Sequence, residues 1–164
     1  MITLQIYGMD MLVNRFKKYI LLCVLFAISG CTTMGPPYTP PPPAPEGQSL
    51  VYLMRSSVGY GNFWETIFSI NDVEVTSLLD KGYTWLHLKP GVYKFSAGSV
   101  LNKNYLSFPM PIRAGLEYYI DYNQEYAGYN SYRNSIRAIK PEIGKVKIKD
   151  YAFQPAEHSH IPNK

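Results

Sequence analysis

The side chains able to do chemistry in this 164-residue chain are few and scattered. There are two cysteines, Cys23 and Cys31, and three histidines, His87, His158 and His160. Cys23 lies inside an apolar run, and Cys31 follows the small residues Ser29 and Gly30 just after it. With no cysteine beyond position 31, the rest of the chain has no disulfide framework, no thiol nucleophile and no thiolate for a metal. A catalytic imidazole needs a nucleophile or an orienting carboxylate, and the neighbours of His87, Trp85 and Lys89, supply neither. His158, His160 and Glu157 fall short of three or four ligands on a rigid frame, so neither a metal nor a cofactor is expected. Glu65, Asp72, Glu74, Asp80, Glu117 and Asp121 show no local pairing. A carboxylate pair assembled by folding would give a weak envelope hydrolase, the alternative function. No Gly-x-Ser-x-Gly elbow and no phosphate-cradling glycine loop occurs, so an enzyme is not expected.

Binding chemistry is easier to find. The stretch from Asp121 to Arg133 carries Tyr122, Tyr126, Tyr129 and Tyr132 among Asn, Gln and Gly. Tyrosine presents a flat apolar face with a hydroxyl at its tip, suited to stacking on a sugar ring or to a protein surface. These four tyrosines with Arg133 form the candidate binding patch. The competing reading is a long hairpin loop whose aromatics pack back on the sheet. Tyr60, Phe63 and Trp64 make a second aromatic cluster, which reads as core.

The segment before Cys31 decides where such a patch would work. Residues 1–10 carry no positive charge, whereas Met11 is followed by Arg15, Lys17 and Lys18 and an apolar run over 19–28. Translation therefore reads best from Met9 or Met11. A helix of about ten residues is too short for a hydrocarbon core of about 30 Å and suits the apolar region of a signal peptide. Ile28-Ser-Gly-Cys31 resembles the lipobox of bacterial lipoproteins. That resemblance implies cleavage between Gly30 and Cys31, acylation of Cys31 and attachment to a membrane. Thr32 stands where an aspartate would mark inner-membrane retention, so in a Gram-negative host the resemblance implies the outer membrane, facing the periplasm.

After Cys31, Pro36, Pro37, Pro40 to Pro43 and Pro45 favour an extended polyproline II spacer. A free spacer over 31–48 would hold the domain some 30–40 Å, on the order of 3 Å per residue, from the lipid. Loss of Arg15, Lys17, Lys18 and Asp10 with residues 1–30 lowers the formal charge from +4 to +2. That gives no argument for nucleic acid.

From residue 49 the chain breaks into short β-branched and aromatic runs at 49–55, 63–70, 73–76, 83–88, 92–97, 105–108, 116–122 and 131–139. Asn71-Asp72 is a tight-turn signal. Lys89-Pro90-Gly91 suggests a type II turn closing a hairpin between 83–88 and 92–97. Pro109 and Pro111 restrict their strand to an edge. Lys145-Val-Lys-Ile-Lys149 alternates like a half-exposed edge strand, and the chain from Phe153 looks frayed. The expected fold is all-β, a small antiparallel β-sandwich of about seven strands over 49–150, with a flexible tail over 151–164.

Leu50-Val-Tyr-Leu-Met-Arg55, Ile67-Phe-Ser-Ile-Asn-Asp-Val-Glu-Val75, Gly82-Tyr-Thr-Trp-Leu-His-Leu-Lys-Pro-Gly-Val-Tyr-Lys-Phe95, Ala114-Gly-Leu-Glu-Tyr-Tyr-Ile120 and Ile139-Lys-Pro-Glu-Ile-Gly144 are similar to the DUF2846 lipoprotein domain. The likeness covers about 90 residues, 50–143, and extends to PEGA-like β-sandwich modules in the Pro-Gly turn. It implies a β-sandwich and no catalytic residues, and the tyrosine-rich insert has no counterpart in it. The expected function is a membrane-anchored envelope lipoprotein acting as a non-catalytic binding or structural module. Its expected partners are the membrane through the lipid, and another envelope protein or a glycan.

Overall fold

A computed structural model of the chain describes residues 35–56, 64–99, 105–129 and 131–157. Cys31, Gly30, Tyr60, Phe63, His158 and His160 lie outside the described residues. Among the described residues, nine strands form two sheets: β1 (Ser49–Arg55), β2 (Thr66–Ile70), β3 (Val73–Leu78), β4 (Gly82–Leu88), β5 (Gly91–Ser99), β6 (Leu106–Ile112), β7 (Glu117–Gly128), β8 (Ser131–Ile139) and β9 (Ala152–Phe153). The first sheet has the order β8-β7-β1-β4-β9 and the second β3-β2-β5-β6. Pairing is antiparallel except between β1 and β7 and between β4 and β9. The β-sandwich expectation is met.

Alternation along the strands builds the core between the sheets. Val51 and Leu53 of β1, Leu86 and Leu88 of β4, and Ile120 and Tyr122 of β7 meet Phe68, Ile70, Tyr93 and Phe95 of the second sheet. The β2–β3 turn is the one the sequence signals. Asn71 and Asp72 have φ of 51° and 65°, the two left-handed residues of a type I′ turn. Pro109 and Pro111 lie on β6, at the open edge of the second sheet. Alternate residues direct their N–H groups to one side, and the ladder to β5 is continuous from Ile112 to Leu106. The missing donors thus fall on the solvent edge, where they discourage further pairing.

Three expectations fail on tertiary grounds. The Lys89-Pro90-Gly91 turn does not close a hairpin, because β4 belongs to the first sheet and β5 to the second. Gly91 is not among the residues with positive φ, as a type II turn would require, and it begins β5 opposite Ile112. Both strands put large apolar residues inward, so the chain turns a corner between sheets. The 145–149 stretch is no edge strand. It ends the helix α1 (Pro141–Lys147) and makes the 3-10 turn Ile148–Asp150. Pro141 in the first turn, Glu142 near the helix start and Lys145 and Lys147 near its end favour the helix. Gly144 of the helix, Ile148 of the 3-10 turn and Tyr151 just after it are buried at i, i+4 and i+7, while Val146 is exposed.

The third correction concerns both flanks. Residues 151–157, expected in the flexible tail, are packed. Ala152 and Phe153 pair with Gly82 and Tyr83, and Gln154 Oε1 accepts from Leu79 N at 2.8 Å. Glu157 N donates to Val75 O at 2.9 Å. The proline stretch over 36–48 is no free spacer either. Phe153 N donates to Pro36 O at 2.8 Å, Pro37 bridges Ala152, and the rings of Tyr38 and Tyr83 meet at 5.5 Å. Tyr38, Pro41 and Ala44 are half-buried between exposed neighbours. Polyproline II has three residues per turn, so one side of such a strap faces the sheet at every third residue.

The strap and α1 together cover the outer face of the first sheet. Beneath them Leu50, Tyr52, Met54, Tyr83, Tyr119, Ile148 and Tyr151 form a second apolar cluster. This is why β1 is buried at all seven positions, as befits a central strand covered on both faces. Tyr52 and Tyr119 stack at 4.6 Å, and burial raises both phenol pKa values.

Candidate functional site

The β7–β8 pair outgrows the sandwich. β1 pairs with β7 only as far as Arg55 opposite Tyr122, yet β7 runs on to Gly128 and returns as β8. Six further residues at about 3.4 Å each make a two-stranded ribbon reaching roughly 20 Å past β1. The 121–133 stretch is therefore strand on both sides of a tight turn, not a long loop.

Register sorts the tyrosines. Tyr122 is 2% exposed and packs edge-on against Phe68 at 6.3 Å, so it is core and no part of an exposed patch. Tyr126 lies four residues, two pleat repeats, further along the same face, directly opposite Tyr132, and their rings meet at 5.6 Å and 67°. The core-facing side of the sheet thus continues beyond the core as an aromatic pair that stays 59% and 44% exposed. Arg133 is exposed opposite Glu125. At the turn, Gly128 and Tyr129 have φ of 89° and 47°, and Ser131 Oγ donates to Gly128 O at 2.6 Å. Left-handed backbone suits glycine or asparagine, and a bulky residue there costs on the order of 1 kcal/mol. Tyr129 occupies it with its side chain wholly in solvent.

A second constellation was not foreseen. Asp121 is fully buried beside the end of β1. Its Oδ1 accepts from Ser56 Oγ at 2.6 Å and its Oδ2 from Lys147 Nζ at 2.7 Å. Lys147 Nζ also donates to Ser56 Oγ at 2.5 Å, and Tyr151 Oη donates to the same oxygen at 3.1 Å. Burial pushes the Tyr151 phenol up to about 12. A serine beside a lysine amine is the geometry of a nucleophile with its base. Here the amine is bound to a carboxylate and the serine proton is directed at that same carboxylate. The arrangement therefore acts as a charge-compensated staple between β1, β7 and α1. Its signal is hidden in the sequence because Lys145-Val-Lys-Ile-Lys149 alternates like a strand, whereas Lys147 ends α1. On the inner face, buried Arg55 donates to Trp64 O and Leu78 O at 2.5 and 2.8 Å. Burial lowers its pKa, with Asp80 opposing.

The remaining candidates stay apart. Asp72 is paired with Lys94 at 2.5 Å and Glu117 with Lys145 at 2.9 Å. His87 lies half-buried against Trp85, rings 5.2 Å apart. Trp64 is exposed. No cluster of three or more metal-ligating side chains occurs among the described residues, and none of their helices is long and apolar enough to cross a membrane. An open groove of about 480 Å³ runs beside Leu116, Glu117, Ile139 and Pro141, bridged by the Glu117–Lys145 pair. Comparison of the chain with known protein families, curated proteins and solved structures finds no match.

Proposed function

We propose that this chain is a lipid-anchored protein of the cell envelope, attached through Cys31 after cleavage behind Gly30, and that its β-domain is a non-catalytic contact module. The observation that carries the contact role is Tyr129, exposed on a left-handed turn beside the Tyr126–Tyr132 pair. The lipobox-like Ile28-Ser-Gly-Cys31 and the likeness to DUF2846 lipoprotein domains support the envelope setting. In a Gram-negative host Thr32 favours the outer membrane. The domain has no expected cofactor or nucleic-acid partner. Another envelope component, of which proteins and glycans are the obvious classes, is what the ribbon has within reach.

The hydrolase reading draws little support. Asp72, Glu117 and Asp121 are each held by a lysine, whereas a glycosidase-like pair needs one carboxyl kept protonated. The test is a photoreactive benzophenone side chain placed in living cells at position 129, or at Val92, which is exposed at the opposite end of the sandwich. Adducts to an envelope component from 129 and none from 92 are expected. Equal yields from both would remove the ribbon as the contact surface.

A further inference from the structure

We propose that the tyrosine turn rests in the headgroup region of the same bilayer that holds Cys31, so that the domain touches its membrane at two points. This rests on the lipid-anchor reading above and names the ligand of the ribbon tip.

The first support is direction. β7 is parallel to β1 and carries the ribbon out past Arg55. β4 is antiparallel to β1, which places Gly82 and Tyr83 at the same end, with Tyr83 opposite Met54. β9 pairs there, and Phe153 N donates to Pro36 O. The strap therefore runs back from Ser49 to the Arg55 end, and Pro36, five residues from Cys31 in sequence, lies at the end from which the ribbon projects.

The second support is reach. Five residue steps from Pro36 to Cys31 span at most about 17 Å. The ribbon extends roughly 20 Å past β1. A tether shorter than the ribbon keeps that end of the domain within the ribbon's own length of the lipid. Twist of about 20–25° per strand across the sheet tilts β7 away from β9, so the ribbon meets the surface obliquely. A free spacer over 31–48 would have removed this constraint; the packing of 36–48 imposes it.

The third support is chemistry. The seven residues Tyr126-Ala-Gly-Tyr-Asn-Ser-Tyr132 contain three tyrosines and no charge. Glu125 and Arg133, directly opposite each other, close the uncharged tip off from the sheet. Tyrosine is enriched where membrane meets water, its ring among the acyl boundary atoms and its hydroxyl among the headgroups.

The test uses the full-length protein purified from membranes and reconstituted in phosphatidylethanolamine–phosphatidylglycerol vesicles. Ala127→Cys keeps all three tyrosines and accepts a nitroxide label, and Val92→Cys serves as the reference. The label at 127 is expected to collide more with dissolved oxygen than with a water-soluble nickel complex, and the label at 92 the reverse. Replacing Tyr126, Tyr129 and Tyr132 by Ser in the Ala127→Cys protein should return the 127 label to water. Intact mass of the same preparations reports acylation of Cys31. An acylated protein whose 127 label is as wet as the 92 label overturns the ribbon contact and leaves the anchor standing. An unacylated Cys31 overturns both. A wet 127 label together with a protein adduct from position 129 in cells overturns it in favour of a protein partner.

Discussion

Gly144 of α1 lies flat on the ring of Tyr119, so close that a Cβ at position 144 would stand 2.2 Å from Tyr119 Cγ. In an exposed helix, exchanging Gly for Ala stabilises by up to about 1 kcal/mol. Here the sign is reversed. Gly144→Ala must lift α1 off a ring that is itself stacked on Tyr52, and a loss of about 1–3 kcal/mol is expected from urea unfolding midpoints. A gain would show that the helix does not dock on Tyr119.

Among the described residues, Lys147 is the cation paired with the fully buried Asp121 carboxylate. Lys147→Met should cost about 3 kcal/mol, because it strands a buried charge. Adding Asp121→Asn should recover part of that loss, since the charge is then gone. A double-mutant cycle on denaturant unfolding reads the coupling. Additive losses would mean that the two groups do not interact.

The backbone N–H of Thr39 donates to Tyr83 Oη at 3.3 Å, in a segment whose composition alone suggests a free spacer. Amide hydrogen exchange should show Thr39 protected in the native protein, and Tyr83→Phe should release it while the strand amides keep their protection. Exchange at the free-peptide rate in the unaltered protein would mean that the strap does not lie on the sheet.

Burial raises the pKa of Tyr52, Tyr83, Tyr93, Tyr119, Tyr122 and Tyr151, the last to about 12 from a reference of 10.0. With a folded pKa above the unfolded one, the stability linked to these neutral phenols is fully present below pH 10. It is lost as pH rises from 10 toward 12, because the unfolded chain releases protons that the native state retains. Stability followed by circular dichroism should fall across that window, with part of the 295 nm phenolate absorbance appearing only on unfolding. A flat profile to pH 12 would contradict the burial of these rings.

How legible this was in the chain depended on the range of the interaction. Local signals read correctly: the Asn71-Asp72 turn and the edge prolines of β6. Pairings set at long range did not. Pro90-Gly91 looks like a hairpin turn because nothing nearby says that β4 pairs with β1 and β5 with β2. Residues 145–149 alternate by accident, and the helical recurrence of Gly144, Ile148 and Tyr151 shows only once a small residue counts as a contact. The strap and the 151–157 segment follow from an apolar outer face on the first sheet that must be covered, and one strand's sequence does not reveal that need. Of the candidate site, Tyr126, Tyr129 and Tyr132 were readable by type, whereas the burial of Tyr122 and the exposure of the others required the register of β7 against β1.

The proposed attachment through Cys31 is tested most directly by intact mass spectrometry of the protein extracted from membranes. The expected result is a mature chain beginning at Cys31 and carrying lipid, with Cys31→Ala accumulating as an unprocessed precursor that retains residues before 31. A membrane-extracted protein that still carries its leader and has an unmodified Cys31, with Cys31→Ala indistinguishable from it, would contradict the account.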